Sequence, residues 1–184
     1  MRETDLDENL RKLQEGDALQ LDVIYRETHK QVFASAVALL RDRALAEDAM
    51  QETYVRLLQS AGNYRPGSNP FAYIMTICRN VCLNVIRKRA RETEVDVSKS
   101  EPLFGSELTH SPLEQLENVE GMLRGLSDDE RETIMYRVYA GLKHRETAVI
   151  MKKPLGTVLW LYSRAVKKVK ENIAAMDEDE RETE

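Results

Sequence analysis

The sequence predicts an all-α protein: two small helical domains joined by a flexible acidic linker, the C-terminal one a helix-turn-helix. Three observations lead there. Apolar residues recur near the 3.6-residue helical period through most of the 184 residues. Eight glycines and five prolines are too few for a turn-rich all-β fold. The period fails over 92–112, where acidic residues, serines, Pro102 and Pro112 replace it, the composition of a linker. The expected boundaries are an N-terminal domain at 1–93, a linker at 94–112, a C-terminal domain at 113–176 and a frayed acidic tail at 177–184.

In chain order, Leu21, Ile24, Tyr25, Val32, Phe33, Ala36, Val37 and Leu40 mark a helix within 17–41. Leu45, Ala49, Met50, Leu57 and Leu58 continue the period in the next segment. Gly62 to Pro70 is a loop by composition, and Pro70 opens the following helix, where its missing N–H costs little. Phe71, Ile74, Cys78, Val81 and Val85 then form one buried stripe. Tyr73, Asn80, Asn84 and Arg87 form another on the same helix, where amides and an arginine are free to face a ligand. Helical patterning resumes at Leu113. Ser127 and Glu130 have capping-box spacing before Ile134, Met135, Val138 and Tyr139, and Gly141 ends that helix. Two further helices, near 144–151 and 155–174, are joined by Lys152-Lys153-Pro154.

The formal net charge is −5, but it is unevenly spread. Between Ser60 and Arg91 lie Arg65, Arg79, Arg87, Lys88, Arg89 and Arg91 with no carboxylate. A second basic stretch occupies 142–176, and an acidic one separates the two. Cationic blocks on helical patterns beside an acidic helix (Glu47, Asp48, Glu52) suggest a bridge between nucleic acid and another protein. The longest apolar run, Val32 to Leu40, is too short to span a membrane, and a basic-then-apolar start is lacking, so the cytoplasm is the expected compartment. Cys78 and Cys82 are four apart, which suits one side of a helix in a reduced core rather than a redox or zinc pair. No metal, cofactor or small-molecule substrate is expected. No phosphate-cradling G-x-x-x-x-G-K-[ST], no H-E-x-x-H and no G-x-S-x-G occurs, so an enzyme is not expected.

Two short helices about a tight turn, the second longer and basic, follow the plan of a major-groove reader. On the last helix Val158, Tyr162, Ala165, Val166, Val169 and Ile173 make the inward stripe. Thr157, Trp160, Arg164, Lys167 and Lys168 are left outward, the cations suited to phosphate.

At this point the residues resemble a known family. Ala46-Glu47-Asp48-Ala49-Met50-Gln51-Glu52-Thr53-Tyr54-Val55-Arg56-Leu57 is similar to its A-E-D-x-x-Q-E-x-F-x-R-L segment. Tyr64-Arg65-Pro66-Gly67, with Phe71-Ala72-Tyr73-Ile74 and Ile77-Cys78-Arg79-Asn80, resembles its loop and helix. Leu126-Ser127 to Arg137, Gly141-Leu142 and Pro154-Leu155-Gly156-Thr157-Val158 resemble its C-terminal helix-turn-helix. The family is the extracytoplasmic-function sigma factors of bacterial RNA polymerase, and the likeness runs in order from about residue 17 to 174.

The resemblance implies a first domain that binds the clamp coiled coil of core RNA polymerase and melts and reads the promoter −10 element. It implies a second that binds the polymerase flap and reads the −35 element, and an anti-sigma partner. Carried over by position, Asp48, Gln51, Glu52 and Val55 bind the polymerase; the i, i+3, i+4 spacing of the first three puts them on one helix face. Asn63, Tyr64, Arg65, Ser68, Tyr73, Asn80, Asn84, Arg87 and Lys88 take the −10 positions. Arg145, Thr157, Trp160, Leu161, Arg164, Lys167 and Lys168 take the −35 positions. Tyrosine can stack on an unpaired base, and an amide can read a base edge; Tyr73 as core, and Asn80 and Asn84 as solvated positions, are the alternatives. Where the family often carries a lysine and an arginine after G-T-V, this chain has Leu159 and Leu161 with Trp160 between. Lys143 replaces a common capping serine.

The leading expectation is therefore a promoter-specificity subunit. A sigma-like decoy that binds an anti-sigma protein without reading promoters, and a stand-alone helix-turn-helix regulator, are the alternatives. The intact basic block argues against the first, and the unused Asp48/Gln51/Glu52 face against the second.

Overall fold

A computed structural model describes residues 3–95 and 121–183. The expected linker and the resumption at Leu113 lie largely or wholly outside the described residues. Among those residues every regular element is helical. The order is α1 (Glu3–Gln14), α2 (Gln20–Leu40), α3 (Arg43–Ser60), a 3-10 turn (Ala61–Asn63) and α4 (Pro70–Val95). Then come α5 (Asp128–Ile134), continued by a π-helical turn (Met135–Tyr139), α6 (His144–Met151) and α7 (Leu155–Thr183).

Local chemistry sets the ends of these elements. Arg41, in the left-handed conformation, closes α2 with its N–H on the Val37 carbonyl. One residue later the Asp42 side chain caps α3 by accepting from the Leu45 N–H at 3.1 Å. Ser127 and Glu130 make the reciprocal box: Ser127 N–H donates to Glu130 Oε2 at 2.8 Å, and Glu130 N–H to Ser127 Oγ at 3.3 Å. At α6 only half a box forms, because lysine has no acceptor: the Lys143 backbone N–H donates to Glu146 Oε2 at 2.6 Å. The last helix continues through Thr183 instead of fraying after Met176. No Gly or Pro interrupts Asp177 to Thr183, so no residue there forces the backbone out of the helix.

The stripe of α4 is buried as expected at Phe71, Ile74, Cys78 and Val81, and both cysteines are free and buried. α2 is the central element. It packs on α1, α3 and α4 and also on α5 and the π-helical turn. Val32, Ala36 and Leu40 enter a core shared with α1, α3 and α4, which extends to Tyr136, Ile150, Val158 and Leu161. Ala34 and Ala38 face Leu123, Leu126, Ile134, Met135 and Ala165, their small side chains allowing close helix approach. The two modules are thus packed together. Polar ties cross the seam. The Arg79 guanidinium forks onto Glu132, donating from Nε to Oε1 and from Nη2 to Oε2 at 3.3 Å. Their side chains are only 11% and 5% exposed. Arg41 Nη2 reaches Asp128 at 2.6 Å, and Asn69 Nδ2 donates to Glu146 Oε1 at 2.9 Å.

α1 was not singled out by the sequence pattern. Its Leu6, Leu10 and Leu13 are buried in the shared core at helical spacing.

Candidate functional site

α3 and α4 form the walls of the first candidate surface. Ala46, Ala49, Thr53 and Leu57 bury the inner face of α3. That rotation leaves Asp48, Gln51, Glu52 and Val55 on the outside, with Val55 49% exposed. Leu58, counted within the apolar period, is also exposed and extends this ridge by one turn. The ridge is therefore acidic and apolar at once, suited to a protein surface that offers both cations and hydrophobic contact.

On α4 the second stripe gains Ile77 between Tyr73 and Asn80. An open groove of about 450 Å³ lies between the two helices, lined by Glu52, Arg56, Gln59, Ser60, Ile77 and Asn80. The groove places the carboxylate of the ridge and the amide of the basic helix in one depression. Asn84, Arg87 and Lys88 continue outward on α4, all exposed, with Arg87 Nη1 on Asn84 Oδ1 at 3.0 Å. Tyr73 is half-buried. Its hydroxyl donates to the Ser60 carbonyl at 2.7 Å, which fixes the ring against the start of the loop.

The loop before α4 exposes Asn63, Arg65 and Ser68 but not Tyr64. Tyr64 is 2% exposed, which corrects its placement among the −10 DNA-facing residues. Its hydroxyl donates to the Asp7 carboxylate on α1 and its ring leans on Tyr73, 5.4 Å between centroids. The reason is a brace that composition does not reveal. Asp7 Oδ1 also accepts from Gly67 N–H at 2.9 Å, where Gly67 turns the chain at φ +80°, and Gln14 Nε2 donates to the Gly62 carbonyl at 3.1 Å. The Tyr64 hydroxyl and the Gly67 amide hold the Asp7 carboxyl below its ordinary pKa. Burial, and then the neighbouring Asp7, push the Tyr64 phenol up.

The second candidate surface is the tip of the helix-turn-helix. Arg145, Thr157, Trp160 and Lys167 are exposed there. Leu161 is not: at 5% exposure it packs with Val158 in the core, which corrects its placement among DNA-facing residues. The cause is helical phase, since Val158, Leu161 and Ala165 follow one buried stripe. Arg164 and Lys168 also have work inside the fold. Arg164 Nε lies 2.8 Å from Glu130 Oε1 and Lys168 Nζ 2.7 Å from Glu130 Oε2, closing over a side chain only 1% exposed. Burial alone would raise the Glu130 pKa, but Lys168, the Ser127 N–H and Arg164 outweigh it, and the net shift is downward. Ser163, which the sequence pattern did not mark, lies exposed on the same outward face as Trp160.

Among the described residues no group of His, Cys, Asp and Glu could hold a metal ion, and no helix is long and apolar enough to cross a membrane.

Comparison with known proteins bears on this geometry. The Sigma-70 region 2 family model matches residues 24–92, and the Sigma-70 region 4 model matches 116–169. The chain is 31% identical over 154 residues to the ECF RNA polymerase sigma factor EcfG of Rhodopseudomonas palustris (strain TIE-1), covering 83% of each. It is 26% identical over 166 residues to the ECF RNA polymerase sigma factor SigK of Mycobacterium sp. (strain KMS), covering 84% of this chain and 83% of that one. Among solved structures it resembles the sigma factor RpoE in complex with the anti-sigma factor NepR from Bartonella quintana. There the TM-score is 0.68 at 26% identity, over 82% of this chain and 94% of that one. CnrH, solved with the cytosolic domain of CnrY, shares the fold with a TM-score of 0.69 at 15% identity.

Proposed function

Because the chain belongs to the extracytoplasmic-function sigma factors of the sigma-70 family, we propose that it is a promoter-specificity subunit whose two modules divide docking and reading between them. The ridge of Asp48, Gln51, Glu52 and Val55 docks on core RNA polymerase. The loop residues Asn63, Arg65 and Ser68, with Asn80, Asn84, Arg87 and Lys88 on α4, hold the −10 strand once its bases have separated. The tip of α7 meets the −35 duplex. Trapping unstacked bases lowers the cost of melting, while the polymerase performs the chemistry; no catalytic step falls to this chain. Its place of work is the cytoplasm, beside the polymerase. An anti-sigma protein is the further partner, by likeness to the Bartonella pair.

The observation that carries this reading is the shared groove, with Glu52 on one wall and Asn80 on the other. A duplex-only repressor has no use for an exposed acidic ridge there. Run-off transcription with core polymerase tests it. A promoter-dependent transcript is expected, and Asp48→Ala with Gln51→Ala should weaken core binding about tenfold, roughly 1.4 kcal/mol, without altering the melting temperature. A decoy would give no promoter-dependent transcript, and a repressor would shift duplex DNA without polymerase.

A further inference from the structure

We propose that the tip of α7 identifies its DNA element by the 5-methyl groups of thymine, with Trp160 the specificity-determining side chain and Leu159 beside it. This deepens, and rests on, the promoter-reading function above.

A recognition helix presents its first turns to the floor of the major groove. On α7 the buried stripe is Val158, Leu161 and Ala165. At 100° per residue the opposite face is Gly156, Trp160, Ser163 and Lys167, all exposed. Trp160 lies on one side of that face, 55% exposed, and Leu159 on the other, 45% exposed. A Cβ placed at Gly156 would meet nothing within 4 Å, so the surface is open one turn before the indole.

Guanine is read by a cationic fork on its O6 and N7. The arginine beside this face, Arg164, is tied back to the fold through its Nε. Its Nε lies 2.8 Å from Glu130 Oε1, and its guanidinium sits 5.1 Å from the Trp160 ring centre. In the first two turns the large side chains left in front are an indole, whose one polar atom is a donor, and a leucine with none; Ser163 and Lys167 follow further along the helix. The apolar group that a base pair offers in the major groove is the thymine methyl. Lys152, in the turn before α7, and Lys167, two turns after Trp160, are both exposed and bracket the apolar centre. An apolar centre between cations complements a groove floor bounded by phosphates, which favours DNA over a protein as its occupant.

The test uses holoenzyme reconstituted from the full chain and core polymerase, with promoters randomised in the upstream element. Selected elements should carry thymine at fixed positions. Replacing one such thymine by deoxyuridine, which removes only the methyl, should weaken binding about fourfold, the value of one buried methyl-sized group. Trp160→Ala should bring the thymine-to-deoxyuridine ratio to one, and Trp160→Phe should keep most of it. The deoxyuridine experiment on the unaltered chain stands even where a variant misfolds. Guanine-dominated elements indifferent to deoxyuridine, with transcription intact, would overturn the inference and leave the promoter function standing. So would a Trp160→Ala chain that loses affinity for polymerase while its thymine preference persists. Absence of any promoter-dependent transcript would remove both readings together.

Discussion

In the stretch 60–91 and in the stretch 142–176, cations outnumber carboxylates by the same six. On α4 and its preceding loop, Arg65, Arg87, Lys88 and Arg91 stay at the surface, and Arg79 turns inward to Glu132. On α7, by contrast, Arg164 and Lys168 converge on buried Glu130, and Lys153 in the preceding turn pairs with Asp129 at 2.9 Å. Asp129 and Glu130 of the acidic run thus take up three cations of the basic stretch that follows, so part of the second block is cancelled inside its own module. Charge per segment therefore does not locate a polyanion surface. What locates it is whether a buried carboxylate lies within reach of the cations.

The most forceful way to break this contrast is at its exception, Arg79. A buried ion pair that loses one partner leaves a charge without compensation, typically at a cost of about 3–5 kcal/mol. Arg79→Ala should reduce unfolding free energy by about that amount, and Glu132→Ala by a similar amount, both read by urea denaturation. The double variant Arg79→Met with Glu132→Leu should recover most of the loss, because apolar groups of similar volume replace the pair. Additive losses in the double variant would mean that the two side chains do not act together.

The next effect separates the two basic blocks directly. Lys168→Met uncovers one side of Glu130 and should cost about 2–3 kcal/mol of stability, somewhat less than a full buried pair because Arg164 and the Ser127 N–H remain. It should leave the salt dependence of promoter binding unchanged. Arg87→Gln should do the reverse: stability intact, but a salt slope shallower by about 0.7, the loss of one contact to a single-stranded phosphate. Equal salt slopes in the two variants would erase the distinction between scaffold and surface.

How far the sequence discloses this depends on the range of the interaction. The stripe Phe71, Ile74, Cys78, Val81 is legible because helical phase is local, and so is the Ser127–Glu130 box, which needs only a three-residue spacing. Gly141 is legible for the same reason; it turns the chain at φ +69°. The exposed Asp48, Gln51 and Glu52 follow from phase as well. Family likeness alone puts Leu161 on the DNA side, whereas counting on from Val158 by helical phase puts it in the core, where it lies. Arg79, Arg164 and Lys168 find their carboxylates across a seam or on another helix, and no local pattern names those partners. α1 is short and polar, with three leucines as its signal, and its part in bracing the loop before α4 is visible only once Asp7 and Gln14 are seen against Tyr64, Gly67 and Gly62.

That brace yields the smallest and most local effect. The Tyr64 hydroxyl and the Gly67 amide favour the ionised Asp7, so its folded-state pKa lies below the unfolded one. The stabilisation is then fully present above the unfolded pKa, about 3.9, and is lost as pH falls through the folded-state value. Asp7→Asn should remove it at every pH. The site is partly open to solvent, so screening should bring the loss to about 1 kcal/mol, below the roughly 1.5–3 of a sheltered hydrogen bond to a charged group. Hydrogen exchange at the Gly67 amide should quicken about fivefold at neutral pH. Below about pH 4 the unaltered chain should approach the variant, as its own carboxyl takes up a proton. Exchange at Gly67 that is the same in both chains near neutrality would show that α1 does not hold the loop, and that the surface cations of the first block owe their placement to α4 alone.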